Sequence, residues 1–355
     1  MAGCTILDVR LAGIAGAVPD RVRSLDDDVL AFGEADALKI SSSTGVRQRY
    51  VAPPGVCTSD LCFASAKRLL EDLHWTPDSI DVLIFVSQTP DYVLPATACC
   101  LHERLGLAKR CASFDVNLGC SGYVYGLWVA ASLLSAGSFS RALLLVGDTI
   151  SRLASPQDRS VAPLFGDAGT ATAIERSAGA PPMCFELGTD GSGQRHLIVP
   201  AGGFRQRHSA ETAVRVEREG GNSRSEEDLY MNGSAIFEFT LREVQPLVQS
   251  TLAAANWQVE DIDAFVFHQA NQFILNHLSK RMRLPAGKVA LALAEFGNTS
   301  SASIPLAMQH TLRDRARAET LRLLIAGFGV GFSWGAAALT VEKLVIPELL
   351  KVTSC

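Results

Sequence analysis

The sequence has little of what a nucleic-acid partner or a membrane would require. Only 19% of its 355 residues are charged, and the formal net charge is −5. We find no basic stripe, no acidic tail and no apolar segment long enough to span a bilayer. The first residues do not combine a charged region with a long apolar run, as a secretory signal would. We therefore expect neither a nucleic-acid nor a membrane partner.

The cysteines do not form a pattern typical of disulfides or zinc. There are nine of them, an odd number, and none are spaced as CxxC. This usage argues against a disulfide framework and against a structural zinc site. It favours a reducing compartment, so we predict a cytoplasmic protein with no metal.

What the chain does have is enough apolar sequence for a large core, and an internal repeat. Hydrophobic residues make up 48% of it. The segment Ile80–Val86 is echoed by Ile262–His268, and Phe165–Glu175 is echoed by Gly335–Glu342. Both segments of the second pair follow an apolar strand. Alternating strands and helices in two similar parts predict a duplicated α/β fold with covered sheets.

Cys120 lies in a local context that suits a reactive thiol. The segment 112–117 is predicted to be a buried strand, and an apolar helix is predicted from Gly122. Glycine stands one residue before and two residues after Cys120, so we expect a sharp turn that holds the thiol over a helix N-terminus. Such a position commonly lowers the pKa of a thiol from about 8.5 toward neutrality. A buried structural cysteine is the alternative.

Two further polar residues follow predicted elements in the second part of the chain. His268 ends the short hydrophobic strand 263–267, from which a histidine can project into a cleft. Asn298 stands in the small-residue loop 296–305, where an amide can approach a ligand. Taken singly, each is also compatible with a structural role.

A Cys, His and Asn set admits two chemistries. In papain-like hydrolysis, His is a general base paired with Cys, and Asn orients the imidazole ring. In carbon–carbon bond formation, Cys carries an acyl group while His and Asn donate hydrogen bonds to a developing enolate. The order of the three residues along the chain does not separate them. The absence of a secretory signal and of a disulfide framework weakens the papain-like interpretation.

Together the motifs resemble the β-ketoacyl-acyl-carrier-protein synthase III family of the thiolase superfamily, over nearly the whole chain. The segments that carry the resemblance are Asp115–Gly122, Phe165–Gly169, Met231–Gly233, His268–Asn271, Gly297–Pro305 and Gly327–Gly335. The resemblance implies a thiolase-like fold of two βαβαβαββ halves in five αβαβα layers. We place these halves at residues 1–176, with Cys120, and 177–355, with His268 and Asn298. An exposed excursion covers about residues 202–228.

The resemblance also implies a decarboxylative Claisen condensation. Cys120 would take an acyl group from acyl-CoA or an acyl carrier protein, with the backbone amides of Cys120 and Gly331 as the oxyanion hole. His268 and Asn298 would then polarise a malonyl thioester. The expected working unit is a homodimer without a cofactor, with acyl carrier protein as its partner. Alternatives are acyl transfer to an oxygen or nitrogen nucleophile, and a silent subunit of a heterodimeric synthase.

Residues expected to bind the substrate depart from the family pattern. Lys39 and Ser43 replace an aromatic residue and an arginine that grip adenine in housekeeping members, and Phe273 replaces an arginine. Arg159 remains a candidate for phosphate contact, so CoA and a carrier protein both stay open as acyl donors.

Two further positions concern the acyl group itself. Leu94 stands where a bulkier aromatic residue often limits the acyl pocket from the neighbouring subunit, which favours a longer or branched starter. Met231, in a family signature, is a further candidate for substrate binding.

Overall fold

The computed structural model describes residues 2–285 and 287–353, so residues 1, 286, 354 and 355 of the predicted halves lie outside the described residues. The strands are β1 (Ala2–Ile6), β2 (Val9–Pro19), β3 (Val22–Ser24), β4 (Gln48–Tyr50), β5 (Val82–Val86), β6 (Ala112–Val116), β7 (Arg141–Asp148), β8 (Ala168–Arg176), β9 (Met183–Thr189), β10 (Leu197–Ile198), β11 (Val216–Glu217), β12 (Ser223–Arg224), β13 (Tyr230–Met231), β14 (Ala264–Phe267), β15 (Thr320–Gly329), β16 (Ser333–Glu342) and β17 (Leu350–Val352). The α-helices are α1 (Leu25–Phe32), α2 (Glu34–Thr44), α3 (Thr58–Leu73), α4 (Thr97–Arg104), α5 (Gly122–Ser135), α6 (Gly233–Ala255), α7 (Gln272–Arg281), α8 (Leu293–Phe296) and α9 (Ser303–Ala318).

Two mixed sheets form the centre of the molecule. The first sheet has the order β17-β2-β8-β7-β5-β6, and the second has the order β1-β9-β16-β15-β14. The set β2-β8-β7-β5 of the first sheet corresponds to β9-β16-β15-β14 of the second. In both sets one neighbouring pair is parallel (β5 with β7, β14 with β15) and the remaining pairs are antiparallel. The echoed segments lie in these equivalent strands, so the predicted duplication is confirmed.

Helices cover both faces of each sheet and give five layers, as the predicted fold requires. Helix α3 packs on the outer face of the first sheet, and α6 packs on the outer face of the second. Helices α5 and α9 lie between the sheets and contact strands of both. Strands β5 and β7 read as unbroken apolar runs because both their faces are covered.

Helix α5 is apolar on nearly all sides because it is enclosed by both sheets. An ideal Cβ at Gly126 would come within 2.8 Å of Leu144 and 2.9 Å of Val86, so only glycine allows the helix this close to the first sheet. Its burial in protein explains its composition without a membrane. Throughout residues 2–285 and 287–353, each helix is too short or too polar to cross a bilayer.

The terminal strands cross the boundary predicted at 176/177. That boundary falls between β8, in the first sheet, and β9, in the second. However, β1 pairs with β9 in the second sheet, and β17 pairs with β2 in the first. Each half therefore completes its sheet with a strand from the other end of the chain.

Candidate active site

Cys120 lies in the turn between β6 and α5, and its side chain is buried. The flanking glycines are needed for close approach. An ideal Cβ at Gly119 would lie 2.8 Å from the Cγ1 atom of Val330, and one at Gly122 would lie 2.7 Å from that of Val86. Strand β6 differs from the prediction of a buried strand, because it forms the edge of the first sheet and is partly exposed.

The glycine-rich end of β15 lies directly against Cys120. An ideal Cβ at Gly329 would come within 2.7 Å of the Cys120 sulfur, and one at Gly327 within 2.7 Å of the Cys120 carbonyl oxygen. The backbone of Val330 hydrogen-bonds the thiol. The amide placed against Cys120 is thus that of Val330, one residue before the predicted Gly331. At Gly331, which has φ 89°, an ideal Cβ would meet no atom within 4 Å.

The prediction of a lowered thiol pKa is wrong. Burial raises the pKa of Cys120 to about 11, and the negative charge of Asp148 contributes in the same direction. Hydrogen bonds from the backbone of Val330 and Cys120 and from the Ser300 side chain act against this rise. Desolvation of a thiolate by both sheets therefore outweighs the amides at the start of α5. The thiol is protonated at neutral pH, so it would have to lose its proton to act as a nucleophile.

His268 follows β14 and is buried at the centre of the molecule. Its Nδ1 atom lies 2.7 Å from the Ser303 hydroxyl, which also accepts a weak hydrogen bond of 3.4 Å from the Gln269 amide. The hydroxyl hydrogen is then directed to Nδ1, so we assign the ring proton to Nε2. Burial lowers the pKa of His268 to about 3, although a hydrogen bond with the Ser300 backbone opposes this. His268 is a neutral hydrogen-bond donor.

Asn298 is held in the loop after α8 by both its backbone and its side chain. Its amide donates to Leu164 (2.9 Å), and its carbonyl accepts from Gly166 (3.1 Å). The side-chain Oδ1 atom accepts from the Ser300 amide at 2.9 Å, and Nδ2 donates to the Ala270 carbonyl at 3.3 Å. The second Nδ2 hydrogen has no acceptor among the described residues, so it can be donated to a ligand.

Ser300 connects the three predicted catalytic residues. Its hydroxyl lies within hydrogen-bonding reach of both the Cys120 thiol and the Asp148 carboxylate, its backbone hydrogen-bonds the His268 ring, and its amide donates to Asn298. Ser300 has φ 50°, in the left-handed region, which a serine adopts only when its surroundings require it. The sequence showed only a run of small residues here, and no signal distinguished Ser300 from its neighbours.

The buried carboxylate of Asp148 connects the loop that contains Ser300 and Ser301 to the first sheet. Asp148 accepts hydrogen bonds from the Ser87 hydroxyl (3.2 Å), the Gln88 amide (2.7 Å), and the amide and hydroxyl of Ser301 (3.3 and 2.6 Å). Burial raises the pKa of Asp148. Four donors around one carboxylate fix the position of Ser301, and through it the position of Ser300.

This geometry differs from that of a papain-like hydrolase. In the described part of the chain, no hydrogen bond joins the Cys120 thiol to the His268 ring, and Asn298 does not hydrogen-bond that ring. A hydrolase needs His as a base on Cys, with Asn orienting the ring. Here His268 and Asn298 are instead two separate neutral donors.

A cavity of about 530 Å³ opens beside Cys120 and is mostly apolar. Its wall includes Ser300 and Val330, which contact Cys120, and the apolar residues Phe165, Leu197 and Leu229. This volume is in the range of ligand pockets, so the cavity has room for an extended acyl group.

None of the four predicted substrate-binding residues lines this cavity. Arg159 forms an ion pair with Asp36 on α2. Leu94 is exposed. Met231 is in β13, paired with Leu197, and is partly buried.

Phe273 is exposed at the start of α7. Its ring centroid lies 5.2 Å from that of Phe237 and 6.5 Å from that of His277. It therefore belongs to a small aromatic cluster on the surface.

The excursion at 202–228 is largely exposed, as predicted, but it is more ordered than a plain loop. It contains the hairpin of β11 and β12. Arg224 within it pairs with the buried Asp158. Its two ends contribute Gly202, Gly203 and Glu227 to the cavity wall. The excursion therefore forms part of the pocket beside Cys120.

Comparison with protein families gives two matches to one family. Residues 114–191 match 3-oxoacyl-[acyl-carrier-protein (ACP)] synthase III, and residues 252–341 match the C-terminal region of 3-oxoacyl-[acyl-carrier-protein (ACP)] synthase III. The first match contains Cys120, and the second contains His268 and Asn298. The predicted catalytic residues thus lie within the matched regions.

Individual proteins give the same result over the whole length. A β-ketoacyl-[acyl-carrier-protein] synthase III from Desulfitobacterium hafniense is 35% identical over 339 residues, covering 95% of this chain and 99% of the relative. The crystal structure of a 3-oxoacyl-(acyl-carrier protein) synthase from Burkholderia xenovorans is similar with a TM-score of 0.93 and 45% identity, covering 99% of both chains. A priming β-ketosynthase from the R1128 polyketide biosynthetic pathway is similar with a TM-score of 0.81 and 27% identity, covering 96% of this chain and 98% of that one.

Proposed function

The chain belongs to the β-ketoacyl-acyl-carrier-protein synthase III family of the thiolase superfamily, and we propose from this that it condenses an acyl starter with a malonyl thioester. The reaction is a decarboxylative Claisen condensation through an acyl-Cys120 intermediate, and its product is a β-ketoacyl thioester. The observation that carries the assignment of roles is the pair of neutral donors, His268 and Asn298, connected to Cys120 through Ser300.

In the first half-reaction, Cys120 exchanges one thioester for another. Its sulfur attacks the acyl carbonyl, the bond to the carrier sulfur breaks, and the thiol proton passes to the leaving thiol. The negative charge on the carbonyl oxygen is held by backbone amides. The amide of Val330 beside the thiol supports a role for Val330, together with Cys120, in this step.

In the second half-reaction, the malonyl thioester loses carbon dioxide. The electron pair of the broken carbon–carbon bond forms an enolate, whose carbon attacks acyl-Cys120 and releases the thiolate, which takes a proton from solvent. His268 and Asn298 donate hydrogen bonds to the enolate oxygen. Because both donors are neutral, they stabilise the developing charge without adding a charge of their own. Each such hydrogen bond typically lowers the activation free energy by about 3 kcal/mol.

The remaining parts of the proposal concern partners. The acyl carrier protein is the partner in condensation, and we keep the prediction that the reaction needs no cofactor. The ion pair of Arg159 with Asp36 and the replacements at Lys39 and Ser43 support a carrier protein over CoA as starter donor.

We further propose a homodimer that acts in the cytoplasm. Tyr92, Val93 and Leu94 are all exposed. The edge strand β6 is only partly buried. Exposed apolar residues and an uncovered sheet edge support burial of this side by a second copy of the chain.

The assignment of roles is tested with Asn298→Ala in the full-length protein. Loss of one donor lowers β-ketoacyl product formation from malonyl carrier protein by about 10²- to 10³-fold. Intact-mass spectrometry still detects acyl-Cys120, because Asn298 acts only in the second step. Asn276→Ala, on the exposed side of α7, is the matched control.

Several outcomes contradict the proposal. Full malonyl-dependent product from Asn298→Ala would refute the role of Asn298. Release of an acyl ester or amide without malonyl consumption would identify transfer to an oxygen or nitrogen nucleophile. An isolated protein that never acylates Cys120 would identify a silent subunit.

A further inference from the structure

Three polar side chains in the cavity beside Cys120 have no role in the condensation chemistry. Gln88, Asn117 and Glu227 line the same space of about 530 Å³ as the nucleophile. A pocket that held only a saturated hydrocarbon chain would be lined by apolar groups, since covering an unpaired polar group costs free energy. The presence of these side chains bears on which acyl group the pocket holds.

Gln88 lies at the Cys120 end of the cavity, and Asn117 also lines the cavity. The Gln88 side chain lies against Gly119, where an ideal Cβ would be 2.8 Å from its Cδ atom, and its backbone amide is anchored on Asp148. Asn117 stands three residues before Cys120 in the same turn. Within the described residues, neither side-chain amide has a hydrogen-bond partner. Asn117 is exposed and Gln88 is half-buried, so both can bond a group in the cavity.

Glu227 provides a third polar group, from the end of the excursion. Its Oε1 atom accepts from the Thr212 hydroxyl at 2.6 Å and lies 2.8 Å from Nδ1 of His208. The Thr212 hydrogen bond is the largest cause of a lowered pKa, so the carboxylate is ionised at neutral pH. Its Oε2 atom has no partner among the residues that the structure describes. Among those residues, the cavity lining contains no lysine or arginine, which disfavours a second anion.

A hydroxyl group matches this set of side chains. It can accept from a side-chain amide and donate to an amide oxygen or a carboxylate. A site built to hydrogen-bond a substrate hydroxyl discriminates against an analogue without it, because its own polar groups are then left unpaired. We therefore propose, on the basis of the proposed function, that the starter acyl group carries a hydroxyl group on its chain. This hydroxyl hydrogen-bonds Gln88, Asn117 or Glu227.

The test uses acyl thioesters of N-acetylcysteamine, which contain neither a nucleotide nor a carrier protein, so that only the acyl group varies. Two pairs replace one methyl group by a hydroxyl: 3-methylbutyryl with 3-hydroxybutyryl, and hexanoyl with 5-hydroxypentanoyl. Each reaction forms the Cys120 thioester and releases N-acetylcysteamine with the thiol proton. The rate of the intact-mass shift at Cys120 is the measurement. We expect the hydroxyl compound to react about tenfold faster in at least one pair, equivalent to about 1.4 kcal/mol.

Variants then identify the side chains responsible. Gln88→Leu or Asn117→Leu brings the rate ratio of the 3-hydroxybutyryl pair toward one, and Glu227→Met does so for the 5-hydroxypentanoyl pair. Gln249→Leu makes the same kind of substitution on the exposed side of α6 and leaves both ratios unchanged. Because Gln88→Leu and Asn117→Leu test the same pair of substrates, one variant remains informative if the other fails to fold.

The outcomes separate the two proposals. Equal or slower reaction of the hydroxyl compound in both pairs, with Cys120 still acylated, overturns the hydroxyl preference and leaves the synthase function intact. A preference that survives all three variants also overturns this inference. Absence of any adduct on Cys120 overturns both proposals.

Discussion

Lowering the pH from 7 to 5 is expected to reduce the free energy of unfolding by about 2 kcal/mol through the single side chain of His268. Burial lowers the folded-state pKa of His268 to about 3, from an ordinary value of 6.5. Folding therefore favours the neutral ring, and the unfolded chain binds a proton that the folded chain does not. The stabilisation is complete above pH 6.5 and is lost progressively as the pH falls toward 3. At pH 5 the gap of about 1.5 to the unfolded pKa is equivalent to about 2 kcal/mol.

Denaturant unfolding of the wild type and of His268→Gln, at pH 7 and at pH 5 and at one protein concentration, measures this contribution. Other groups titrate in both proteins, so the difference between their pH dependences isolates His268. The wild type should lose about 2 kcal/mol more than the variant between the two pH values. Ser303→Ala is the control, because it removes the partner of Nδ1 but keeps the buried ring. Equal losses in wild type and His268→Gln would refute the description of His268 as a neutral buried donor.

Three other predictions follow from the same site. Because burial raises the pKa of Cys120 to about 11, alkylation of Cys120 by iodoacetamide should accelerate about tenfold per pH unit from pH 7 to 9. A rate that reaches a plateau below pH 9 would show a more acidic thiol. Ser300→Ala removes a hydrogen bond to Cys120 but keeps the backbone contacts, so the pre-steady-state rate of Cys120 acylation should change several-fold while the protein stays folded. An unchanged rate and an unchanged alkylation profile would show that the Ser300 hydroxyl has no influence on the thiol. Asp148→Asn places an NH₂ group where a carboxylate accepts four hydrogen bonds, so the free energy of unfolding, measured with denaturant, should fall by about 1–3 kcal/mol. Unaltered stability would contradict a stabilising role for this carboxylate.

The candidate catalytic residues and the duplicated fold could be predicted because their signals are local. Cys120 and His268 each follow a short apolar strand, and Asn298 stands in a run of small residues, so each context indicates a side chain brought to the end of an element. The internal repeat is equally visible, since equivalent strands bury similar apolar residues in both sheets.

The features that the sequence did not predict depend on contacts between distant segments. The contact of the Val330 backbone with the Cys120 thiol depends on where β15 ends relative to the turn that holds Cys120. Ser300 has a left-handed conformation and contacts Asn298 and His268, and His268 is distant from it in sequence. The pKa of Cys120 depends on desolvation by both halves, which the flanking glycines do not reveal.

The exchange of terminal strands has a consequence for biosynthesis. Strand β17, at residues 350–352, is the last strand that the structure describes, and it pairs in parallel with β2, near the start of the chain. Until the segment that contains Val345 and β17 has left the ribosome, β2 lacks one neighbour and the Gly13–Val345 bridge is unmade. The first sheet therefore acquires its last hydrogen bonds only after β14, β15 and β16 of the second sheet have been synthesised.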